Sequence, residues 1–507
     1  MSAGEPSHLE RDLTALSIDG AHGKGTAERG QRSAALSSSN DGSGTTHDAD
    51  SDHDDSQADD DSVSCEEGSD GYKPGGYHPV RVGQVYNRRY RIESKLGWGH
   101  FSTVWLATDT TVDDAHQHRH VALKIQKSAE HYTEAALDEI ELLRRAGSAS
   151  EHVVRLLDFF YHVGPNGRHM CMVFELLGEN LLSLIKKSGY RGIPLPRVQR
   201  MTRDILLALH DLHTDAQIIH TDIKPENILL TRTSAPVVSS LPQAIASLEV
   251  DADKQAPALS KSQKQRLRKK KAKMGAAAAA AVPPPPSEPA LEPDTDSKAS
   301  DAEGPVPVSH AMPSSSLPQR AKLADLGNAC WTYKHFTSDI TTRQYRSPEA
   351  IVGAPYGPPV DIWALAALVF ELITGDYLFD PKADSRKRYT RDEDHLALMT
   401  ELLGPFPRAI TQDGSHSKEF FTRKGLLRNI HDLEFWALPD VLVEKYKLAG
   451  DQGATLASFL LPMLELDPRK RATAEQCLQH AWMQEVAGEE ESVAGNVIDE
   501  PTDTPVQ

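Results

Sequence analysis

His220-Thr221-Asp222-Ile223-Lys224-Pro225-Glu226-Asn227, between Ile218-Ile219 and Ile228-Leu229-Leu230, is the stretch from which the fold is read. A histidine, two acids, a lysine and an amide crowd into one short loop between apolar runs. A polar turn after a helix explains the polarity but not this density of chemistry. Upstream, 181–187 (LLSLIKK) and 198–213 (VQRMTRDILLALHDLH) repeat apolar residues at helical spacing. Downstream that period returns in 361–375 (DIWALAALVFELITG) and 395–404 (HLALMTELLG). Residues 231–320 intervene, with KQRLRKKKAK at 264–273, an alanine run at 276–281 and prolines at 283–286. Proline runs favour extended polyproline conformation and cannot enter a core. The stretch is expected to be a disordered spacer, since loop-closure cost grows only logarithmically with length.

Ahead of the loop the pattern is that of strands: 89–97 (RYRIESKLG), 102–110 (STVWLATDT), 120–127 (HVALKIQK), 153–161 (VVRLLDFFY) and 170–177 (MCMVFELL). One amphipathic helix, 133–145, interrupts them, with Leu137, Ile140, Leu142 and Leu143 assigned to one face. The chain of 507 residues therefore reads as α+β. A strand-rich small lobe (71–178) precedes a helix-rich large lobe in two parts (179–230 and 321–483). The tails read differently. Residues 1–70 hold 17 acids against 4 bases, and 484–507 hold 7 acids and no base. Both have too few large apolar residues to offset ordering entropy, and disorder is expected. The formal charge of −18 is thus mainly a property of the tails.

Several classes are set aside. No apolar stretch approaches the roughly 18 residues of a membrane helix; the best, from Ile362 to Phe370, stops at Glu371. The start of the chain lacks an apolar run behind a basic flank, so no secretory signal is expected. Cys65, Cys171, Cys330 and Cys477 have no zinc-like or paired spacing, which points to the reducing cytosol or nucleus.

Three further clusters bear on chemistry. Leu96-Gly97-Trp98-Gly99-His100-Phe101-Ser102-Thr103-Val104 sits between two strand patterns, the geometry of a flap over nucleotide phosphates rather than of a dinucleotide fold, which needs a helix next. Val121-Ala122-Leu123-Lys124 ends a strand, and Glu139 follows on the amphipathic helix, where a carboxylate can orient the amine. Asp325-Leu326-Gly327 comes just after the spacer.

Together with the opening stretch, these clusters resemble the eukaryotic protein kinases across both patterned halves. The resemblance implies a bilobal kinase fold that uses ATP and Mg2+. It places Leu96, Gly97, Gly99, Ser102 and Val104 over the nucleotide, with Ser102 where the family has a third glycine. Glu175 to Leu177 would form the adenine-binding hinge. Lys124, oriented by Glu139, would neutralise phosphates; Asp222 would accept the hydroxyl proton; Lys224 would offset charge on the transferred group; Asn227 and Asp325 would ligate magnesium. Asp361 would hold the catalytic loop, and Arg471 would pair with Glu349 in Ser347-Pro348-Glu349. Leu326 stands for the family's phenylalanine.

Narrower matches, among them LGWGHFSTVWLA, KSAEHYTEAALDEI, LADLGNACW, TRQYRSPE and TGDYLFDP, resemble the SR-protein kinases. That family phosphorylates serines in Arg-Ser repeats of splicing factors and carries a divergent spacer between its kinase halves. LAMMER-type dual-specificity kinases rank second, on HLALMTELLGPFP. A pseudokinase scaffold is disfavoured because Lys124, Asp222, Asn227 and Asp325 are all present. The expected partners are Arg-Ser-rich proteins, with no direct nucleic acid, no membrane and a monomeric chain, in cytoplasm and nucleus. No aromatics interleave the basic run 264–273, so base stacking is unsupported; localisation or anchoring is the expectation.

Two departures carry expectations of their own. Thr221 replaces an arginine that in many kinases gathers an activation-loop phosphate. Activity independent of loop phosphorylation is therefore expected, with single alanines at Thr337, Ser338, Thr341 and Thr342 tolerated. By resemblance, Asp376, Asp394 and Glu401 match acidic positions of a substrate-docking groove, and bidentate arginine–carboxylate pairing suits that use. A solvated acidic helix face is the alternative reading of Asp394 and Glu401, which lie seven apart.

Overall fold

The computed structural model describes residues 71–112, 119–232, 319–386 and 388–483. The expected tails, most of the spacer and the basic run 264–273 lie outside the described residues.

The small lobe is a six-stranded antiparallel sheet in the order β1-β2-β3-β4-β6-β5: β1 Val85–Tyr86, β2 Tyr90–Trp98, β3 Ser102–Asp109, β4 His120–Gln126, β5 Leu156–Gly164 and β6 Gly167–Glu175. Period-two alternation divides its side chains between two layers. Val121, Leu123 and Ile125 of β4 join Tyr90, Ile92, Trp105, Cys171 and Val173 in an outer core. Lys124, one residue out of phase with that set, points to the opposite face. There Met170, Met172 and Phe174 of β6 pack with helix α1, Glu130–Ala149.

Helix α1 is longer than the expected 133–145, and its inward seam differs. Ala136, Glu139, Ile140, Leu142, Leu143 and Ala146 are buried, while Leu137 is only partly so. The carboxylate of Glu139 thus occupies the apolar face. The segment 153–161 also shifts: pairing begins at Leu156, and Val153 forms only an isolated bridge with Leu323.

The large lobe is helical: α2 Leu181–Lys187, α3 Leu195–Asp211, α4 Pro348–Ile351, α5 Pro359–Thr374, α6 Arg391–Leu403, α7 Gly450–Met463 and α8 Ala474–Leu478 are its main helices. Helix α5 is apolar nearly all round and buried from Val360 to Leu372, as a helix through the centre of a lobe must be. It stops at Gly375, whose φ is +77° and where a Cβ would lie 2.1 Å from the Tyr190 carbonyl. Glu349 and Arg471, both without exposed side-chain surface, form a two-pronged pair at 2.6 and 2.9 Å. Arg471 also donates to the carbonyls of Glu465 and Pro359 and lies over Trp363, so the buried charge is fully engaged.

Two short ladders carry the loop between the lobes. Strand β7, Ile218–Ile219, pairs with β10, Cys330–Trp331; β8, Ile228–Leu230, pairs with β9, Ala321–Leu323. The chain leaves at the end of β8 and returns at the start of β9, where Thr231 N–H donates to the Arg320 carbonyl at 2.8 Å. The two ends of the intervening segment are thereby bonded neighbours.

Candidate active site

Three strands in register bring the first residues together: Gly97 pairs with Val104, and Val104 with Lys124. Cross-strand partners project to the same face, so the glycine turn, Val104 and Lys124 form one row. Leu96 sits at an irregularity between the Lys95 and Gly97 pairings. Gly99 and Ser102 close the hairpin through Gly99 N–H to the Ser102 carbonyl at 2.9 Å. Neither Gly97 nor Gly99 has positive φ, so turn strain does not require glycine there. A Cβ on either would meet nothing within 4 Å, which leaves the backbone open to a ligand.

Lys124 Nζ donates to Glu139 at 2.8 and 3.0 Å and to Asp325 Oδ1 at 3.2 Å. Burial alone would lower the lysine pKa, but the two carboxylates outweigh it and raise it. Lys124 in turn, against burial, holds Asp325 below the usual carboxylate range. One cation thus stands between two acids, one from α1 and one from the segment after β9.

The loop that opened the sequence reading is held from below by Asp361 of α5. That carboxylate accepts the backbone N–H of His220 and of Thr221, each at 2.8 Å, and also contacts His213 Nε2 at 2.8 Å. Thr221 has φ of +64°, a sparsely populated conformation for a β-branched residue. Its amide bond to Asp361 and its hydroxyl bond to the Asn328 carbonyl, at 2.7 Å, hold it there. The His220 ring accepts the Asp222 N–H at Nδ1, so its proton is on Nε2, which donates to the Ala324 carbonyl at 3.1 Å.

Asp222 collects four partners. Lys224 Nζ lies 2.7 Å from Oδ2, Asn227 Nδ2 donates to Oδ2 at 3.1 Å, Asn328 Nδ2 reaches it at 3.4 Å, and the Thr342 hydroxyl donates to Oδ1 at 2.9 Å. Lys224 also donates to that hydroxyl at 3.3 Å. The amide of Asn227 is oriented by donating to Asp222, which leaves its oxygen as an acceptor for a cation. The Ala324 N–H, next to Asp325, donates to the Asn227 carbonyl at 2.9 Å, so both candidate metal ligands are fixed to one ladder. Two protein oxygen donors suit an ion that takes its remaining ligands from phosphates and water, as magnesium does.

Thr342 is the residue that sequence reasoning misplaced. Its hydroxyl is part of the acid–lysine pair, so tolerance of alanine is not expected at this position. Asn328 was missed altogether. Neither had a local signal, since each meets the loop across more than a hundred residues of sequence.

At the lobe junction, Glu175 accepts Lys322 Nζ at 2.7 Å and the Arg155 N–H at 2.8 Å through Oε1. Its side chain ties β6 to β9, while Leu177 is buried behind it. The acidic trio is more engaged than a solvated face would be. Asp376 accepts the Tyr446 hydroxyl at 3.1 Å, Asp394 the Lys382 N–H at 2.6 Å and Glu401 the Glu434 N–H at 3.0 Å.

The protein kinase domain model matches residues 90–238 and 314–483. The chain is 45% identical over 426 residues to the serine/threonine-protein kinase SRPK of Physarum polycephalum, covering 83% of this chain and 92% of that protein. It is 40% identical over 512 residues to human SRSF protein kinase 3, covering 81% and 89%. Against the serine/threonine-protein kinase SKY1 of Saccharomyces cerevisiae the identity is 34% over 590 residues, covering 84% and 78%.

Proposed function

This chain is a protein kinase of the SRPK family, and from that premise we propose that it moves the γ-phosphate of ATP to serines in Arg-Ser-rich splicing factors. The observation that carries the reading is the convergence of Lys124, Glu139 and Asp325 within 3.2 Å, in a fold that also holds Asp222 beside Lys224.

In this reading Lys124 neutralises phosphate charge and Glu139 fixes the direction of its amine. Asp222 accepts the proton of the attacking serine hydroxyl and aims that oxygen, while Lys224 faces the charge that develops on the transferred group. Asn227 and Asp325 would hold magnesium, which supplies charge neutralisation at the phosphate oxygens when bound. Leu96, Gly97, Gly99, Ser102 and Val104 cover the nucleotide, and Glu175 to Leu177 present the hinge.

Activity without activation-segment phosphorylation is supported by neutral contacts where a phosphate would otherwise gather charge. The Thr221 hydroxyl holds Asn328, Thr332 donates to Gln217 at 3.0 Å, and Tyr356 donates to the Thr337 carbonyl at 2.8 Å and stacks on His335. Docking of an arginine-rich substrate by Asp376, Asp394 and Glu401 is supported by their charge; a carboxylate that has accepted one bond retains further lone pairs. Action in cytoplasm and nucleus accords with such substrates. Among the described residues no helix is long and apolar enough to cross a membrane.

Phosphate transfer to an Arg-Ser repeat peptide tests this, with Asp222→Asn and a Lys-Ser peptide in parallel. Transfer should collapse in the variant and fall sharply on the lysine peptide, which lacks the guanidinium fork. Undiminished transfer by Asp222→Asn would remove the assigned base.

A further inference from the structure

Gly71-Tyr72-Lys73-Pro74-Gly75-Gly76-Tyr77 precedes the first strand of the small lobe. The structure wraps this segment into a tight turn ahead of the sheet. Tyr77 N–H donates to the Gly71 carbonyl at 2.9 Å and Gly76 N–H to the Lys73 carbonyl at 2.7 Å. Gly75 has φ of +85°, and a Cβ on Gly76 would lie 2.1 Å from the Gly71 oxygen, so the turn requires both glycines. The turn is bonded to the chain between β4 and α1, where Ala129 N–H donates to the Gly75 carbonyl and Ser128 N–H to that of Gly76. Asn166, between β5 and β6, donates through its side chain to the Tyr77 carbonyl at 2.6 Å.

This frame holds one side chain against the glycine-rich flap. The Tyr77 hydroxyl donates to the Gly99 carbonyl at 2.7 Å and lies 3.3 Å from that of His100. Its ring is buried beneath Lys127, whose Nζ is 4.5 Å from the centroid and whose N–H donates to the Phe101 carbonyl. A trans peptide points its C=O and the following N–H in opposite directions. Holding the Gly99 and His100 carbonyls toward Tyr77 therefore turns the N–H groups of His100 and Phe101 away from it. Those two amides are the donors at the tip of the flap.

We propose that Tyr77 is a positioning residue for nucleotide phosphate binding: its hydroxyl pins the flap-tip carbonyls and so aims the His100 and Phe101 amides at the terminal phosphates. This rests on the nucleotide reading of the cleft and goes beyond it, since Tyr77 lies outside the flap and touches no ligand itself.

Tyr77→Phe removes the pin and keeps the ring under Lys127. In the full-length chain, affinity for ADP and for ATP, each with Mg2+, should fall about three- to tenfold, the span of one hydrogen bond, with adenosine affinity held within about twofold. The dissociation rate of ADP should rise in proportion. A general loosening of the lobe would weaken adenosine and ADP alike, and that result would overturn the proposal, as would unchanged ADP affinity. Tyr86→Phe, whose hydroxyl meets Gln84 instead, is the control and should leave both affinities unchanged. Nucleotide binding by the wild-type chain with no phosphate transfer would sink the kinase reading and leave this comparison intact.

Discussion

Thr342 shows how one hydroxyl changes an expectation. Its bond to Asp222 is to a charged acceptor, a class worth about 1.5–3 kcal/mol, so Thr342→Ala should cut kcat roughly 10- to 100-fold. Thr342→Ser should keep most of it, and Thr337→Ala, Ser338→Ala and Thr341→Ala should each retain substantial activity. Collapse of the wild type on phosphatase treatment would argue instead for a required loop phosphate. His395 carries a pH effect. It is fully buried, neither ring nitrogen has a hydrogen-bond partner among the described residues, and burial followed by Arg343, Arg346 and Arg391 pushes its pKa down to about 3. Burial and then His162 and His169 bring His78 to about 4. Below about pH 6.5 the unfolded chain binds protons that the folded one refuses, so stability falls as pH drops toward the folded values. Urea unfolding at about pH 7.5 and about pH 5.5 should show the stability gap shrink by about 1 kcal/mol in His395→Gln. An unchanged gap would place that titration elsewhere.

Helix α6 shows the same acids serving structure and charge at once. Thr390 caps it by accepting the Glu393 N–H at 3.1 Å, and Asp392, Glu393 and Asp394 fill its first turn, where negative charge meets the positive end of the helix dipole. Glu393 is buried and accepts both the N–H and the side-chain amide of Asn429 at 2.7 Å. Asp392 pairs with Arg343. The docking trio is therefore tested with amides, which keep an acceptor for the loop contacts. The triple variant Asp376→Asn, Asp394→Asn, Glu401→Gln should weaken Arg-Ser peptide binding about tenfold at low salt and less at about 0.5 M, where screening shortens the reach of the charges. Equal affinity at both salts would dismiss the groove. Helix α1 was legible as an element but not in its phase. Apolar residues alone set Leu137 on the buried face, whereas the cation on β4 drew Glu139 there instead.

The whole molecule is organised around an interruption. Strands β8 and β9 close against each other from Ile228↔Leu323 to Leu230↔Ala321, so the ladder that fixes Asn227 and Asp325 does not need the segment between them. Replacing residues 233–318 with a short Gly-Ser linker should leave kcat within about twofold and stabilise the fold slightly through reduced loop-closure cost. Its distribution in the cell should change if the basic run at 264–273 is a localisation signal; loss of catalysis in vitro would show the segment to be part of the machinery. Strand alternation and helix period were enough for a strand-rich lobe followed by a helix-rich one, while the roles expected around Asp222 came from the resemblance of its loop to the protein kinases. That order of lobes depends on spacing within one element, where a period of two or 3.6 residues already fixes which side chains share a face, whereas the row of Gly97, Val104 and Lys124 depends on the register of three strands. The partners of the loop were another matter. Asn328 and Thr342 on Asp222, and Tyr77 on the flap, come from segments distant in sequence, and their types are common on any surface. Only packing brought them within bonding distance, because a hydrogen bond across a cleft depends on where whole elements settle rather than on any pattern within them.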